Sequence, residues 1–199
     1  MPAHVLKRPL VAASAVLTMA MTSSSPPIEL DDASRLSVSG TSTVRSFECM
    51  AKTLDAKVEA GLANAIAAVL SGERGVGAVE LRVPAADLDC NNNTMNGHMY
   101  KAIRSTEHPH IVFRLASYDL TPSDSGVAIA MRGTLALGGA EKAITLNARA
   151  VPAHEGQLKV TGAYELNMKD YGLKPPTLML GTLKVGEKVN VKFELFLTP

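Results

Sequence analysis

The stretch "KVNVKFELFL" near the end of the chain alternates without a break. Val189, Val191, Phe193, Leu195 and Leu197 fall on one side, and Asn190, Lys192 and Glu194 on the other. A period of two sends successive side chains to opposite faces of a strand, so one face is dry and the other wet. A helix cannot use that pattern. The same alternation recurs upstream. "AVELRVP" sets Val79, Leu81 and Val83 against Glu80 and Arg82, and "TVRSFECMAKTLDAKVEA" sets Phe47, Cys49 and Ala51 against Glu48 and Lys52. "IVFRLASYDL" offers Ile111, Phe113 and Leu115, with apolar Val112 on the other face, so both sides of that strand are expected to be partly covered. "RLSVSG" and "GQLKVTGAYELNM" read as further strands, and "GGAE" joins "GVAIAMRGTLAL" to "KAITLNARAV" as a glycine-bearing hairpin. Half-buried strands of this kind pair antiparallel.

Two stretches interrupt the alternation. "LANAIAAVLSG" predicts a helix of about three turns, apolar at Leu62, Ile66, Val69 and Leu70 and ended by Gly72. "TMNGHMYKAIRS" predicts a shorter helix with Met95, Met99, Ala102 and Ile103 at helical spacing, starting at Asn93 or Thr94. Seven or eight strands with one or two short helices point to an all-β fold. Its expected form is an antiparallel sheet of about eight strands that curls into a closed barrel and so removes its exposed edges. A two-sheet sandwich is the competing arrangement. The chain has 199 residues, 46% of them hydrophobic, which suits one compact domain with a sizeable core.

The N-terminus stands apart. His4, Lys7 and Arg8 precede a short apolar run over 10–21, and "TSSSPP" follows. A basic head, about a dozen apolar residues and small residues such as Thr18 and Ala20 predict a secretory signal peptide over 1–22. The run is too short for a spanning helix, which needs roughly 20 apolar residues. Residues 23–33 are expected to be a flexible leader, and 34–199 the folded domain. Removing Lys7 and Arg8 from the 20 basic residues leaves 18 against 19 acidic ones, a formal charge of −1. No block of Lys or Arg stands out, which argues against nucleic acid as a partner. Export would carry Cys49 and Cys90 into an oxidising compartment, where one disulfide is the simplest use of both; two unpaired buried thiols are the alternative.

Three blocks carry a resemblance. "GTSTVRSF", "GHMYKAIRSTEHPHIVFRL" and "KDYGLKPPTLMLGTLKVGEKVNVKFELF", in this order, resemble the hallmarks of the YceI-like family of bacterial secreted proteins, and the likeness covers most of 35–197. It implies a lipocalin-like antiparallel barrel in the periplasm, one that carries a long isoprenoid or other amphiphile in an apolar channel, and it allows a homodimer. The segment over 61–77 departs from the family pattern, in which a plain strand connection is commoner.

A channel of that kind explains an otherwise odd loop. Pro175 and Pro176 exclude a continuous strand, yet Leu173, Leu178, Met179 and Leu180 make the connection apolar. Such a loop would form a stiff, greasy rim over a ligand. Strand parity and the resemblance together make Phe47, Met99, Ile103, Phe113, Leu115, Met168, Tyr171, Leu173, Leu178 and Met179 the candidate ligand-binding residues. Tyr100, Tyr171 and Asn167 are the candidate polar groups at the mouth.

Signs of catalysis are sparse. Neither a G-x-S-x-G elbow nor an S-x-x-K pair occurs. His108 and His110 lack a zinc-site partner pattern, and Asp87 and Asp89 lack the glycine and glutamate of a calcium loop. The expectation is a secreted or periplasmic lipid-binding protein. It would be neither an enzyme nor an integral membrane protein, would need no cofactor or metal, and would have an apolar small molecule or lipid as its partner. The alternative is a secreted structural or interaction module whose barrel is filled by its own side chains.

Overall fold

The computed structural model describes residues 27–178 and 182–199. The expected signal peptide therefore lies outside the described residues, as does Met179. In chain order the elements are β1 (Glu29–Leu30), β2 (Arg35–Ser42), β3 (Ser46–Ala51), β4 (Asp55–Ala60), α1 (Ala65–Leu70), β5 (Val76–Pro84) and β6 (Leu88–Asp89). There follow α2 (Asn93–Ala102), β7 (His110–Ser123), β8 (Gly126–Leu137), β9 (Ala140–Pro152), β10 (Leu158–Asn167), β11 (Thr177–Leu178) and β12 (Leu183–Thr198). Among the described residues the protein is all-β apart from two short α-helices.

Every ladder is antiparallel, and the hydrogen-bonded order is β4-β5-β7-β8-β9-β10-β12-β2-β3-β6. This corrects the expected closed barrel of about eight strands. There are more strands than eight among the described residues, and no ladder joins the ends of the path at β4 and β6. The sheet curls but stays open along that seam. It is drawn together at one end, where β1 pairs with the end of β12 and Ile28 bridges to Val58 of β4. Residues 28–30, inside the stretch expected to be a leader, thus take part in the sheet, and Ile28 is buried.

Two apolar clusters make up most of the core. In one, Ile66 and Val69 of α1 pack with Tyr118, Val127, Ile129 and Val160. In the other, Ile103, just past α2, packs with Leu36, Val83, Leu137, Leu166 and Leu173. The helix expected over three turns is only six residues long. The amides of Gly61 and Leu62 both donate to Gly75 O, which holds the chain in a turn before α1, and Leu62 is left exposed. α2 forms over the expected stretch, with Asn92 rather than Asn93 or Thr94 as its cap: Asn92 Oδ1 accepts from Met95 N at 2.9 Å. Between β8 and β9, Gly138 and Gly139 both have positive φ, as a two-residue hairpin of the primed type demands. Arg104 ties α2 to this end of the sheet by donating to Gly138 O and Gly172 O.

Candidate functional site: an apolar cavity inside the curled sheet

The inner face of the sheet surrounds a cavity of about 660 Å³, within the range of roughly 300–1,000 Å³ usual for ligand sites. Its wall follows strand parity. Even residues of β10 (Leu158, Val160, Tyr164, Leu166) and odd residues of β12 (Val189, Val191, Phe193, Leu195) face it, as do Leu36 and Val38 of β2 and Phe47 and Cys49 of β3. On β7 the parity changes part-way. Ile111, Phe113 and Leu115 line the cavity before an irregularity between Leu115 and Ser117, and Tyr118 and Leu120 line it after. A bulge adds one residue to one strand, so every later side chain turns to the other face. Val112 is buried as well, on the face opposite Phe113.

The cavity stays open because small residues sit opposite large ones. Three inward phenylalanine rings lie over inward glycines: Phe47 over Gly40, Phe113 over Gly133 and Phe193 over Gly162. Each ring covers backbone that would otherwise be bare instead of projecting to the middle. The fourth phenylalanine, Phe196, has the opposite parity and lies outside, 5.4 Å from Lys159 Nζ.

Of the expected ligand-binding residues, Phe47, Met99, Ile103, Phe113, Leu115, Met168 and Leu173 line this cavity. Tyr171 does not. It is 3% exposed in the apolar cluster around Ile103, and among the described residues its hydroxyl has no hydrogen-bond partner. Burial, with the Tyr164 hydroxyl and Asp170 nearby, raises its pKa above the ordinary tyrosine value. Leu173 is no rim residue either, being 2% exposed in the same cluster. The double-proline segment leads into β11, which forms a short hairpin with β12, and Val185 N donates to Pro176 O.

The polar groups expected at the mouth have structural roles or lie elsewhere. Tyr100 donates to Leu88 O at 2.8 Å, and Asn167 Oδ1 accepts from Lys169 N at 3.1 Å. The polar residues lining the cavity are instead Ser42 and Arg45 of the β2–β3 hairpin, Asn92, Thr94 and His98 at the start of α2, and Tyr118 and Tyr164 on the strands. Tyr118 is fully engaged with the backbone of Val76, as donor to its O and acceptor from its N. Parity arguments could not find Asn92, Thr94 and His98, because none of them sits in an alternating stretch, whereas Arg45 shares the parity of Phe47 and Cys49 in "TVRSFECMAK".

A disulfide joins Cys49 of β3 to Cys90, three residues before α2, and both cysteines line the cavity. Cys90 Sγ lies 3.8 Å from Met99 Sδ, so the bridge anchors the helix that presents Met95, His98 and Met99 to the interior. A polar cluster supports it from outside. Asn96, buried, accepts from Cys90 N and donates to Asp89, whose other oxygen is 2.8 Å from Lys52 Nζ. The hydrogen bond from Lys52 first, then those from Asn96 and the Asn91 amide, hold the Asp89 carboxyl down to about 2.

No group of three or more His, Cys, Asp or Glu is placed to hold a metal ion among the described residues, and no helix there is long and apolar enough to cross a membrane. The model of the YceI-like domain matches residues 29–197. This chain belongs to the YceI-like family. No curated protein sequence matches it significantly. Among solved structures it is similar to Burkholderia cenocepacia BcnA, with 16% identity and a TM-score of 0.67 over 85% of this chain and 100% of that one. A polyisoprenoid-binding domain from Saccharophagus degradans, implicated in plant cell wall breakdown, is 15% identical with a TM-score of 0.63 over 85% and 97%. The Campylobacter jejuni YceI protein is 16% identical with a TM-score of 0.56 over 73% and 80%. At these identities the likeness speaks for the shared YceI-like fold.

Proposed function

We propose that this protein is a secreted or periplasmic carrier or buffer that holds one long apolar chain, isoprenoid, quinone-like or fatty, inside its curled sheet. The observation that carries this reading is the cavity itself. A module with a filled core would have no space of about 660 Å³ walled almost wholly by aliphatic, methionine and phenylalanine side chains. The polyisoprenoid binding of the Saccharophagus domain, a structural neighbour of the same fold, supports it. The disulfide fits an oxidising compartment.

The energetics favour a tail over a polar ligand. Each buried methylene contributes about 0.8 kcal/mol, so a tail of about ten supplies about 8 before ordering costs. One neutral hydrogen bond adds about 1 kcal/mol net. Affinity therefore grows with tail length, and the wall discriminates weakly between tails. The flexible side chains of Met95 and Met99 adapt the wall to different shapes.

Mass spectrometry of an organic extract from natively purified protein tests the reading, together with titration of the stripped protein with a fluorescent lipid. An apolar molecule should co-purify at up to one per chain. Repeated preparations that carry none and take up no lipid would leave the filled-module alternative.

A further inference from the structure

Met95, His98 and Met99 of α2 all line the cavity, and all three carry soft or borderline donor atoms. Met95 lies one helical turn before both His98 and Met99. The three side chains therefore leave the helix within an arc of about 100°, and Met95 is about 5–6 Å from each of the other two at Cβ. Hydrogen bonds on the adjoining face fix the helix in this orientation. Asn92 Oδ1 accepts from Met95 N, Asn96 Oδ1 accepts from Cys90 N, and the Tyr100 hydroxyl donates to Leu88 O. Met99 Sδ is held in turn, 3.8 Å from Cys90 Sγ.

His98 has no structural task in this arrangement. It is half-buried, and among the described residues its ring makes no hydrogen bond or ion pair. A neutral imidazole keeps one nitrogen lone pair, and this one sits beside two thioethers. The set differs from the groups of His, Cys, Asp and Glu that are absent from the described residues, because it is neutral and rich in sulfur. No Asp or Glu lines the cavity among the described residues. A divalent ion would bring two charges into an apolar wall without a counter-charge, at a large desolvation cost. A soft monovalent ion brings one charge and is the kind of ion that thioether sulfur selects. Both cysteines are tied up in the bridge, so no thiolate competes for it.

We propose that Met95, His98 and Met99 form a site for one Cu(I) ion on the inner face of α2, held by two thioether sulfurs and one imidazole nitrogen. Thioether and imidazole are both suited to copper, and together they favour its monovalent state. The rotatable bonds of the two methionines let their sulfurs turn onto an ion beside the His98 ring without moving the backbone. The inference stands apart from the carrier reading, since it needs the stripe on α2 and not an occupied cavity.

The test is a competition for Cu(I) between the delipidated protein, its disulfide intact, and the coloured chelator bicinchoninate, with ascorbate and without oxygen. The protein should withdraw one copper per chain. His98→Gln and Met99→Leu should each weaken that uptake about ten-fold or more, a loss that even partners behind a metal's ligands produce. Met131→Leu should leave it unchanged, because that methionine also lines the cavity but packs with the cluster around Val127, whereas Met99 packs with the one around Ile103. X-ray absorption should show sulfur and nitrogen next to copper in the unaltered protein. Failure to take copper from the chelator would overturn the inference and leave the carrier reading intact. Equal losses in all three variants, or a copper shell without nitrogen, would overturn it as well. Zn(II) retained as tightly as Cu(I) would contradict the soft monovalent assignment.

Discussion

The ring of Phe193 occupies the space that a side chain on Gly162, its direct partner across the β10–β12 ladder, would need. A Cβ on Gly162 would lie 2.4 Å from Phe193 Cζ. One missing side chain therefore lets a large ring lie along the wall instead of across the channel. Gly162→Ala should push that ring inward, at a cost of about 1–3 kcal/mol for overpacking, and should weaken uptake of a fluorescent lipid several-fold. Parallel denaturation and lipid titration separate the two effects. Unchanged uptake would mean that the ring does not bound the ligand space.

The Cys49–Cys90 bridge closes a loop with a sequence separation of 41. Constraining a loop of that size in the unfolded chain is worth about 4 kcal/mol in the chain-entropy model, and native bridges typically deliver about 2–4. The double substitution of Cys49 and Cys90 to Ala should lower the guanidinium midpoint accordingly. It should also speed lipid release, because α2 loses its tether beside Met99. A midpoint insensitive to reductant would show that α2 is held by other contacts.

Acid should weaken the same region. The Asp89 carboxyl is held down to about 2, below its ordinary value of 3.8. A carboxyl with a depressed folded pKa contributes stability that is fully present above its unfolded pKa. That contribution is lost as pH falls through the folded value. The loss should therefore run from about pH 4 to about pH 2, and Asp89→Asn should remove this part of the acid dependence while lowering stability at neutral pH. Denaturation midpoints of the two proteins across that window check it; parallel curves would refute it.

Tyr118 fastens the α1 end of the cavity to the sheet. Its hydroxyl donates to Val76 O at 2.9 Å and accepts from Val76 N at 3.0 Å. Tyr118→Phe keeps the packed ring and leaves two half-buried backbone groups without their partner, which should cost about 1–3 kcal/mol. Hydrogen exchange at the Val76 amide should accelerate by the same free energy. Unaltered exchange at that amide would contradict the assignment.

Strand content, antiparallel pairing and most of the inward faces were legible from alternation, because the pleat couples side-chain direction to sequence parity over each unbroken strand. That coupling correctly aimed Phe47, Phe113 and Leu115 at the interior. It failed wherever the chain left the pleat. The irregularity after Leu115 that brings Tyr118 inward has no signature in "RLASYD". Leu173 looked like a rim residue, since nothing near it in sequence shows that Gly138 and Ile103, both distant in the chain, leave a slot for it.

The sequence by itself determined an antiparallel all-β domain with an oily face and two short helices, since periodicity and caps are local properties. Only the tertiary structure decided that the sheet curls without closing, with no ladder joining β4 to β6, and that its inner face leaves a cavity. Pairing partners depend on contacts between residues far apart in sequence, and no local pattern encodes how much space such contacts leave inside.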